Sequence, residues 1–443
     1  MVRFMTGTSK TVTAIAIVAL VIGVVVGYAI SLTTRPSTIE SGATSSSVVT
    51  ITKTKTTTVT KTSATTIGAG TEQRVYKIGF TIPLSGQLSS VGKLWEKAIK
   101  MAIDDLNEEV QAYGFNVKFE AVILDDKTRD EDALNNIRTL HQLGIKVIIG
   151  PAASSQVKTV KSYADANKIV IITPSSTAPT LAIPNDYIFR NVGSDTVQAK
   201  ALAALLKHEG VKKAIVFHRD DEYGVAFADF LIKEAKNLGI EVIGLPYASN
   251  LVDFASEVAT LSKKVQEVGA DAVVLISFDT DGANILSHAK EDPVLSNIRW
   301  LSGEGIHGAS EILAPEIAEF LTKIKFMGTR PVFIANPLYR EFAKRFKEIT
   351  GSEPPVYVEK VYDAVFLAGW AILRAGEYDG EKIKEALPEV AKHFYGVSGW
   401  CILDENGDRL IQDYSIWTIV KVNGEYVFKD IGTYAEGTLS FGE

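Results

Sequence analysis

Lys146 to Thr180 reads KVIIGPAASSQVKTVKSYADANKIVIITPSSTAPT, two apolar runs that each end in a turn crowded with small hydroxyl residues. The runs are Val147-Ile148-Ile149 and Ile169-Val170-Ile171-Ile172. Between them Val157, Val160, Tyr163 and Ala164 recur at helical spacing, so the stretch reads strand, helix, strand, and a right-handed crossover makes the two strands parallel. Both turns then lie on one edge of the sheet. Open α/β sheets bind ligands at that edge, because backbone N–H groups and helix N-termini point outward there and favour negative charge. Ser154, Ser155, Ser175, Ser176 and Thr177 would supply hydroxyl groups to such a ligand, although Ser and Thr serve in the same positions as helix caps and turn formers.

Working outward, strand and helix alternate from Val75 onward. Val75 to Pro83 is a strand that leads into Leu84-Ser85-Gly86, and a helix follows with Leu94, Ala98, Met101, Ala102 and Leu106 on one face. Asn116 to Asp126 is the next strand, ending in the acidic pair Asp125-Asp126, which suits turn duty better than metal binding. Ala133 to Leu143 is another amphipathic helix. After Thr177 the chain runs extended through Ile188 to Gly193, and a second alternation starts: helices from Thr196, Val225 and Phe254 between strands at Ala214 to Phe217, Glu241 to Leu245, Ala272 to Ser277 and Ile298 to Leu301. Two series joined by an extended link indicate two lobes. The last strand ends in Ser302-Gly303-Glu304-Gly305-Ile306-His307, a loop with two glycines around one carboxylate. Gly328 to Val332 is again extended, Pro337 to Ile349 and Val356 to Ala375 are helical, and Glu405-Asn406-Gly407-Asp408 and Asn423-Gly424 mark hairpin turns.

The 443 residues are 46% hydrophobic, enough to bury sizeable cores. A formal charge of −7, with acids and bases interspersed, gives no basic stripe for nucleic acid. Thr11 to Ile30 carries no charge and as a helix spans roughly 30 Å, the thickness of a bilayer core. Arg3 and Lys10 before it place the N-terminus inside and the bulk of the chain outside, and a cleaved signal ending near Ala29-Ile30-Ser31 would export the rest equally. A Ser/Thr-rich stretch follows that lacks the apolar periodicity of a core and reads as an unstructured stalk. The single cysteine, Cys401, excludes an internal disulfide and, beside Trp400, reads as a buried small hydrophobe.

No phosphate-binding, dinucleotide-binding, nucleophile-elbow or zinc-protease motif occurs, and the six histidines show no metal-ligand spacing. No metal or cofactor is expected. The least implausible nucleophile set, Ser154 or Ser175 with His307, has nothing in the chain to mark an activated serine, so an enzyme is disfavoured. Hydroxyl turns on one lobe and a glycine-flanked Glu304 on the other instead suit a zwitterion, the turns taking a carboxylate and Glu304 pairing with an ammonium. A solvated loop acid is the alternative reading of Glu304.

These residues resemble the branched-chain amino-acid-binding type of periplasmic solute-binding protein (type I), the recognition subunit of ATP-driven (ABC) importers. The likeness runs from Val75 to about Thr433 and is carried by IGFTIPLSG (Ile78 to Gly86), LDDKTRD (Leu124 to Asp130), IIGPAASS (Ile148 to Ser155), ITPSSTAPTL (Ile172 to Leu181), HRDDEYG (His218 to Gly224) and SGEGI (Ser302 to Ile306). It implies two doubly wound, Rossmann-like α/β lobes joined by three crossings and closing on a ligand. By resemblance Ser154 and Thr177 bond the ligand carboxylate, the backbone of Ser175 accepts from the ammonium, Tyr223 and Glu304 meet the ammonium, and Phe278 lines the site. Where the family commonly has an aromatic residue this chain has Val91, a departure at the side-chain pocket. The family also includes binders of amides, urea and aromatic acids.

The expected organisation is a cytoplasmic segment over residues 1–10, a membrane anchor or signal over 11–30, a stalk over 31–72, a first lobe from 73–193 and 330–398, a second from 194–329 and 399–435, and a tail over 436–443. The crossings are expected near Val192 to Ser194, Gly328 to Pro331 and Val397 to Gly399. The implied partners are a small amino-acid ligand, permease subunits of an importer and the membrane. A monomer is expected, with the bulk of the chain extracytoplasmic. A ligand-sensing ectodomain working with a separate transducer is the other reading of the same fold.

Overall fold

The computed structural model describes residues 72–332 and 336–442. The expected anchor at 11–30 and all but the last residue of the expected stalk lie outside the described residues. Among the described residues no helix is long and apolar enough to cross a membrane.

Strands β1 (Arg74–Ile82), β2 (Val117–Asp125), β3 (Val147–Ile149), β4 (Val170–Thr173) and β5 (Ile188–Arg190) form a parallel sheet in the order β2-β1-β3-β4-β5. Every residue of β3 and β4 is buried, which is why both read as unbroken apolar runs. The order reverses between β1 and β3, so the crevice beyond their C-terminal ends is where this sheet offers a ligand site. Helices α1 (Ser89–Ala112), α2 (Asp130–Gln142) and α3 (Ser154–Asn167) are the crossovers.

A second sheet begins after helix α4 (Asp195–His208). It contains β6 (Lys213–Arg219), β7 (Glu241–Tyr247), β8 (Ala272–Ile276), β9 (Arg299–Ser302) and β10 (Met327–Val332), parallel in the order β7-β6-β8-β9-β10, with α5 (Glu222–Asn237), α6 (Ala255–Val268), α7 (Asp279–Ala289) and α8 (Pro315–Lys323) between them. Its order reverses between β6 and β8. The two sheets therefore present two switch points.

After α9 (Pro337–Thr350), α10 (Val358–Ala375) and α11 (Gly380–His393), the short strands β11 (Tyr395–Gly396) and β12 (Gly399–Trp400) pair with each other. Strands β13 (Asp413–Val422), β14 (Glu425–Ala435) and β15 (Thr438–Phe441) then extend the second sheet antiparallel from β10. Helix α10 packs on α1 and is largely buried, Glu359, Lys360 and Asp363 included. Its Asp363 accepts from the backbone N–H groups of Val397 and Ser398 and so ties the β11–β12 ribbon to the core.

The crossings and ends differ in place from the sequence reading. Gly328 to Pro331 is not a crossing but the middle of β10, paired throughout with β13 and at Gly328 also with β9. Glycine and proline argue against a central strand, yet a Cβ on Gly328 would stand 2.3 Å from the Trp417 ring, so the close approach of that indole requires the glycine. The return to the first sheet lies beyond Val332. The third crossing falls near Leu410 to Gln412 rather than at Val397 to Gly399, because Asp408 and Arg409 still bond alongside Arg190 at the edge of the first sheet. Residues 438–441, expected in a tail, are β15. Helices α7, α8 and α11 are absent from the sequence reading, being short or interrupted by Gly282 or Pro388.

One acid on α1 makes the fold pH-sensitive. Glu109 is half-buried, and burial together with the neighbouring Asp105 pushes its carboxyl up to about 7 against an opposing hydrogen bond from Trp370. A carboxyl whose pKa is higher folded than unfolded binds more protons in the native state, so its penalty is absent below about pH 4.5 and grows as pH rises to about 7. Glu109→Gln is therefore expected to stabilise the protein by about 2–3 kcal/mol at pH 8 and to do nothing at pH 4, read from denaturant titrations at both pH values.

Candidate functional site

The two switch points face each other across one cavity. The first sheet contributes Leu88, Val91 and Trp95 from the start of α1, Ala152 to Ser154 from the turn after β3, and Ser175 from the turn after β4. The second contributes Tyr223 after β6, Phe278 and Asp279 after β8, and Glu304 and Gly305 after β9. Val356 and Tyr357, just before α10, complete the lining.

The hydroxyl turns are held from behind. Ser154, the first residue of α3, shares a 3.0 Å hydrogen bond with Ser176 Oγ, and its oxygen also accepts from the Ala178 N–H at 3.3 Å. Ser175 Oγ donates to the Ala152 carbonyl at 2.8 Å. Arg190 is buried in β5; its Nη1 donates to the carbonyls of Ser176 and Ala178, and Nε and Nη2 grip the Asp408 carboxylate. The turn after β4 is thus fixed by a guanidinium beneath it. What remains toward the cavity is the N-terminus of α3 and its unpaired first-turn N–H groups, a setting that favours an anion.

The opposite wall is acidic and aromatic. Glu304 is 3% exposed, and its Oε2 accepts from Gln198 Nε2 at 2.6 Å. Burial raises its pKa, against which Tyr223, Tyr357 and Gln198 favour the carboxylate. The hydroxyls of Tyr223 and Tyr357 are buried close to Glu304, although neither is within ideal hydrogen-bond geometry of it. Tyr223 stacks on Phe278 with ring centroids 5.5 Å apart, and the Arg219 guanidinium lies 3.9 Å from the Phe278 ring centre. Gly305 is obligatory, since a Cβ there would stand 2.2 Å from the Ser277 carbonyl oxygen.

Of the residues expected at the site, Ser154, Ser175, Tyr223, Phe278, Glu304 and Val91 line the cavity. Thr177 does not. Its Oγ1 donates to Asp195 Oδ2 at 2.8 Å, spending its one proton on the protein, and its carbonyl accepts from the Asp195 N–H. Glu304 is no solvated loop acid. His307 packs against Trp417 and Phe428, and neither Ser154 nor Ser175 bonds a histidine among the described residues, so that nucleophile set is not assembled. Asp125 and Asp126 accept from Ser85, Lys127 and Thr128 backbone N–H groups and serve their turns. Cys401 is buried, its thiol pushed up to about 12 by burial.

Four contributors have no signal in the sequence. Asp195 opens α4 and is fully buried; burial and then the charge of Glu304 raise its pKa well above that of an ordinary carboxyl, and its Oδ1 has no partner. Gln198, one helical turn on, connects Glu304 to Thr329. Tyr357 adopts φ +68°, a left-handed conformation that is costly for an aromatic residue and places its ring at the cavity. Asp279 is a second buried carboxyl on the lining.

This architecture, two switch points closing on one cavity, is that of the type I periplasmic binding proteins. The chain belongs to the family described as the receptor family ligand binding region, whose model matches residues 94–421. It is 28% identical over 377 residues to an uncharacterised protein of Methanocaldococcus jannaschii, covering 81% of this chain and 90% of that one. A leucine-, isoleucine-, valine-, threonine- and alanine-binding protein of Pseudomonas aeruginosa is 27% identical over 350 residues, covering 77% of this chain and 89% of that one. The crystal structure of a leucine-binding protein from Thermotoga maritima superposes with a TM-score of 0.68 at 26% identity, covering 82% of this chain and 99% of that one.

Proposed function

We propose that this protein is an extracytoplasmic solute-binding protein that captures a small amino acid between two closing lobes and delivers it to an ABC permease. The observation that carries the reading is the polarity of this cavity: an α-helix N-terminus and its hydroxyl turn on one wall, and a buried Glu304 beside two tyrosine hydroxyls on the other. A zwitterion answers both ends at once. Ser154 and the α3 N-terminus take the carboxylate, while Glu304 and the Ser175 carbonyl accept from the ammonium. Tyr223 orients the Glu304 carboxylate, Phe278 and Val91 bound the side chain, and Thr177 acts through Asp195 to hold the turn against α4.

Because the carboxylate is met from the first sheet and the charge that answers the ammonium, Glu304, comes from the second, only the closed arrangement satisfies both charges. Closure is supported by contacts between the two halves at the cleft mouths. Gln87 Nε2 donates to the Ser249 carbonyl at 2.6 Å, Arg219 Nη2 donates to Gln87 Oε1 at 3.1 Å, and Lys158 pairs with Glu222 at 2.6 Å. The named relative that binds aliphatic amino acids supports the ligand class. The apolar run at Thr11 to Ile30 would hold the protein at the membrane beside its permease.

A thermal-shift panel of α-amino acids, neutral amides, urea and sugars tests the reading. A ligand at a hundred times its dissociation constant stabilises by roughly 2.7 kcal/mol, so at least one α-amino acid is expected to raise the melting temperature by several degrees. A rise with an amide or sugar and with no amino acid would overturn it.

A further inference from the structure

The amino-acid reading leaves one lining residue unexplained. Asp279 is the first residue of α7, lines the cavity and is 2% exposed, yet it has no basic partner within ion-pairing distance among the described residues. Its side-chain hydrogen bond comes from Ser90, a neutral hydroxyl on α1. The nearby cation is committed elsewhere: Arg219 donates from Nε to Asp221, from Nη1 to Asp281 and from Nη2 to Gln87.

In the amino-acid reading Glu304 already answers the ligand ammonium. Ser90, which it bonds, adjoins Val91 on α1, with Leu88 just before the helix and Trp95 further along it, so Asp279 stands beside this apolar part of the lining. Facing a leucine-like side chain, a buried carboxyl would exchange water for hydrocarbon without compensation. Burial, with the charges of Glu311 and Asp281 adding to it, pushes it up to about 8 against the hydrogen bonds from Ser90 and its own backbone N–H. The site is one donor short.

We propose, on the basis of the amino-acid reading above, that Asp279 together with Ser90 determines specificity, recognising a hydrogen-bond donor at the end of the ligand side chain. The preferred ligands are then α-amino acids with a short aliphatic stem tipped by an ammonium or hydroxyl group. The stem covers Val91, Leu88 and Trp95, and the tip supplies the partner that Asp279 lacks. Such a ligand also bridges α1 of one half to α7 of the other, next to the Ser90–Asp279 contact.

Isosteric pairs isolate this effect. Ornithine and norleucine differ by an ammonium in place of a methyl, and homoserine and norvaline by a hydroxyl in place of a methyl. Calorimetry on the purified protein is expected to give the polar member of each pair an advantage of about tenfold or more, because a site built for a donor rejects the analogue that lacks it. Asp279→Asn is expected to shrink the ornithine advantage severalfold, with Ser90→Ala reducing it less. If norleucine binds as well as ornithine in the wild-type protein, the inference falls while the amino-acid reading stands. If no α-amino acid binds, that reading itself fails. A loss in Asp279→Asn that is equal for both members of a pair would reduce the residue to a closing contact and overturn its role in specificity. Should Asp279→Asn fail to fold, the wild-type pair comparison decides alone.

Discussion

Replacing Glu304 by glutamine is expected to weaken amino-acid binding by about 1.5–3 kcal/mol, roughly ten- to two-hundredfold, while leaving the unliganded protein as stable or more so. The two effects have opposite signs for one reason. Without ligand, Glu304 is a buried carboxyl that raises the pKa of the equally buried Asp195, and both are held up by desolvation. Glutamine keeps the shape, accepts from Gln198 and removes the charge. With ligand, that charge is the partner of the ammonium, and its loss is felt in full. Calorimetry and thermal melts on the same samples read both numbers. Wild-type affinity in Glu304→Gln would remove the ammonium site from the account. Because ligand ammonium favours the ionised carboxyl, binding is also expected to release protons near neutral pH, measurable as a dependence of the binding heat on buffer ionisation.

Asp408→Asn carries the largest expected cost in stability, about 3–5 kcal/mol in denaturant titration. Arg190 and Asp408 are 1% and 5% exposed, and the aspartate meets the guanidinium through both oxygens. Removing one charge strands the other in the interior, where no water can replace it. The same guanidinium holds the carbonyls of Ser176 and Ala178, so ligand affinity is expected to fall with stability. The double replacement Arg190→Met with Asp408→Leu is expected to recover much of the stability and none of the affinity, since apolar isosteres tolerate burial but do not hold the turn. A single Asp408→Asn variant within about 0.5 kcal/mol of wild type would show that the pair carries no structural load.

Much of this arrangement is legible in the sequence because it rests on local pattern. Unbroken apolar runs mark β3 and β4, hydroxyl residues mark the turns after them, and glycines on both sides of Glu304 mark a backbone that must approach another closely. Those signals sit at the C-terminal ends of strands, and strand ends near a switch point are where the cavity forms. The misreadings share an opposite cause. Pro331 and Gly328 argue locally against a strand, but the register with β13 and the Trp417 ring override them. Thr177 sits beside Ser175 and Ser176 in sequence, yet its hydroxyl turns toward Asp195, a direction no local pattern encodes. Asp195, Gln198, Tyr357 and Asp279 look like ordinary surface or helix residues until tertiary burial removes water from them. Their importance comes from what they lack in the folded protein: a partner, a solvent or a relaxed backbone.

The central claim is that the cavity is a zwitterion site with its two ends on different sheets. Blocked analogues test it directly. An amino acid that binds in the thermal panel is compared by calorimetry with its N-acetyl and its methyl-ester derivatives on the purified protein. Each block removes one charge and leaves the side chain intact. Both derivatives are predicted to bind at least about a hundredfold more weakly than the parent, the cost of leaving a buried charged group unanswered. An N-acetyl derivative that binds as tightly as the free amino acid would contradict the account.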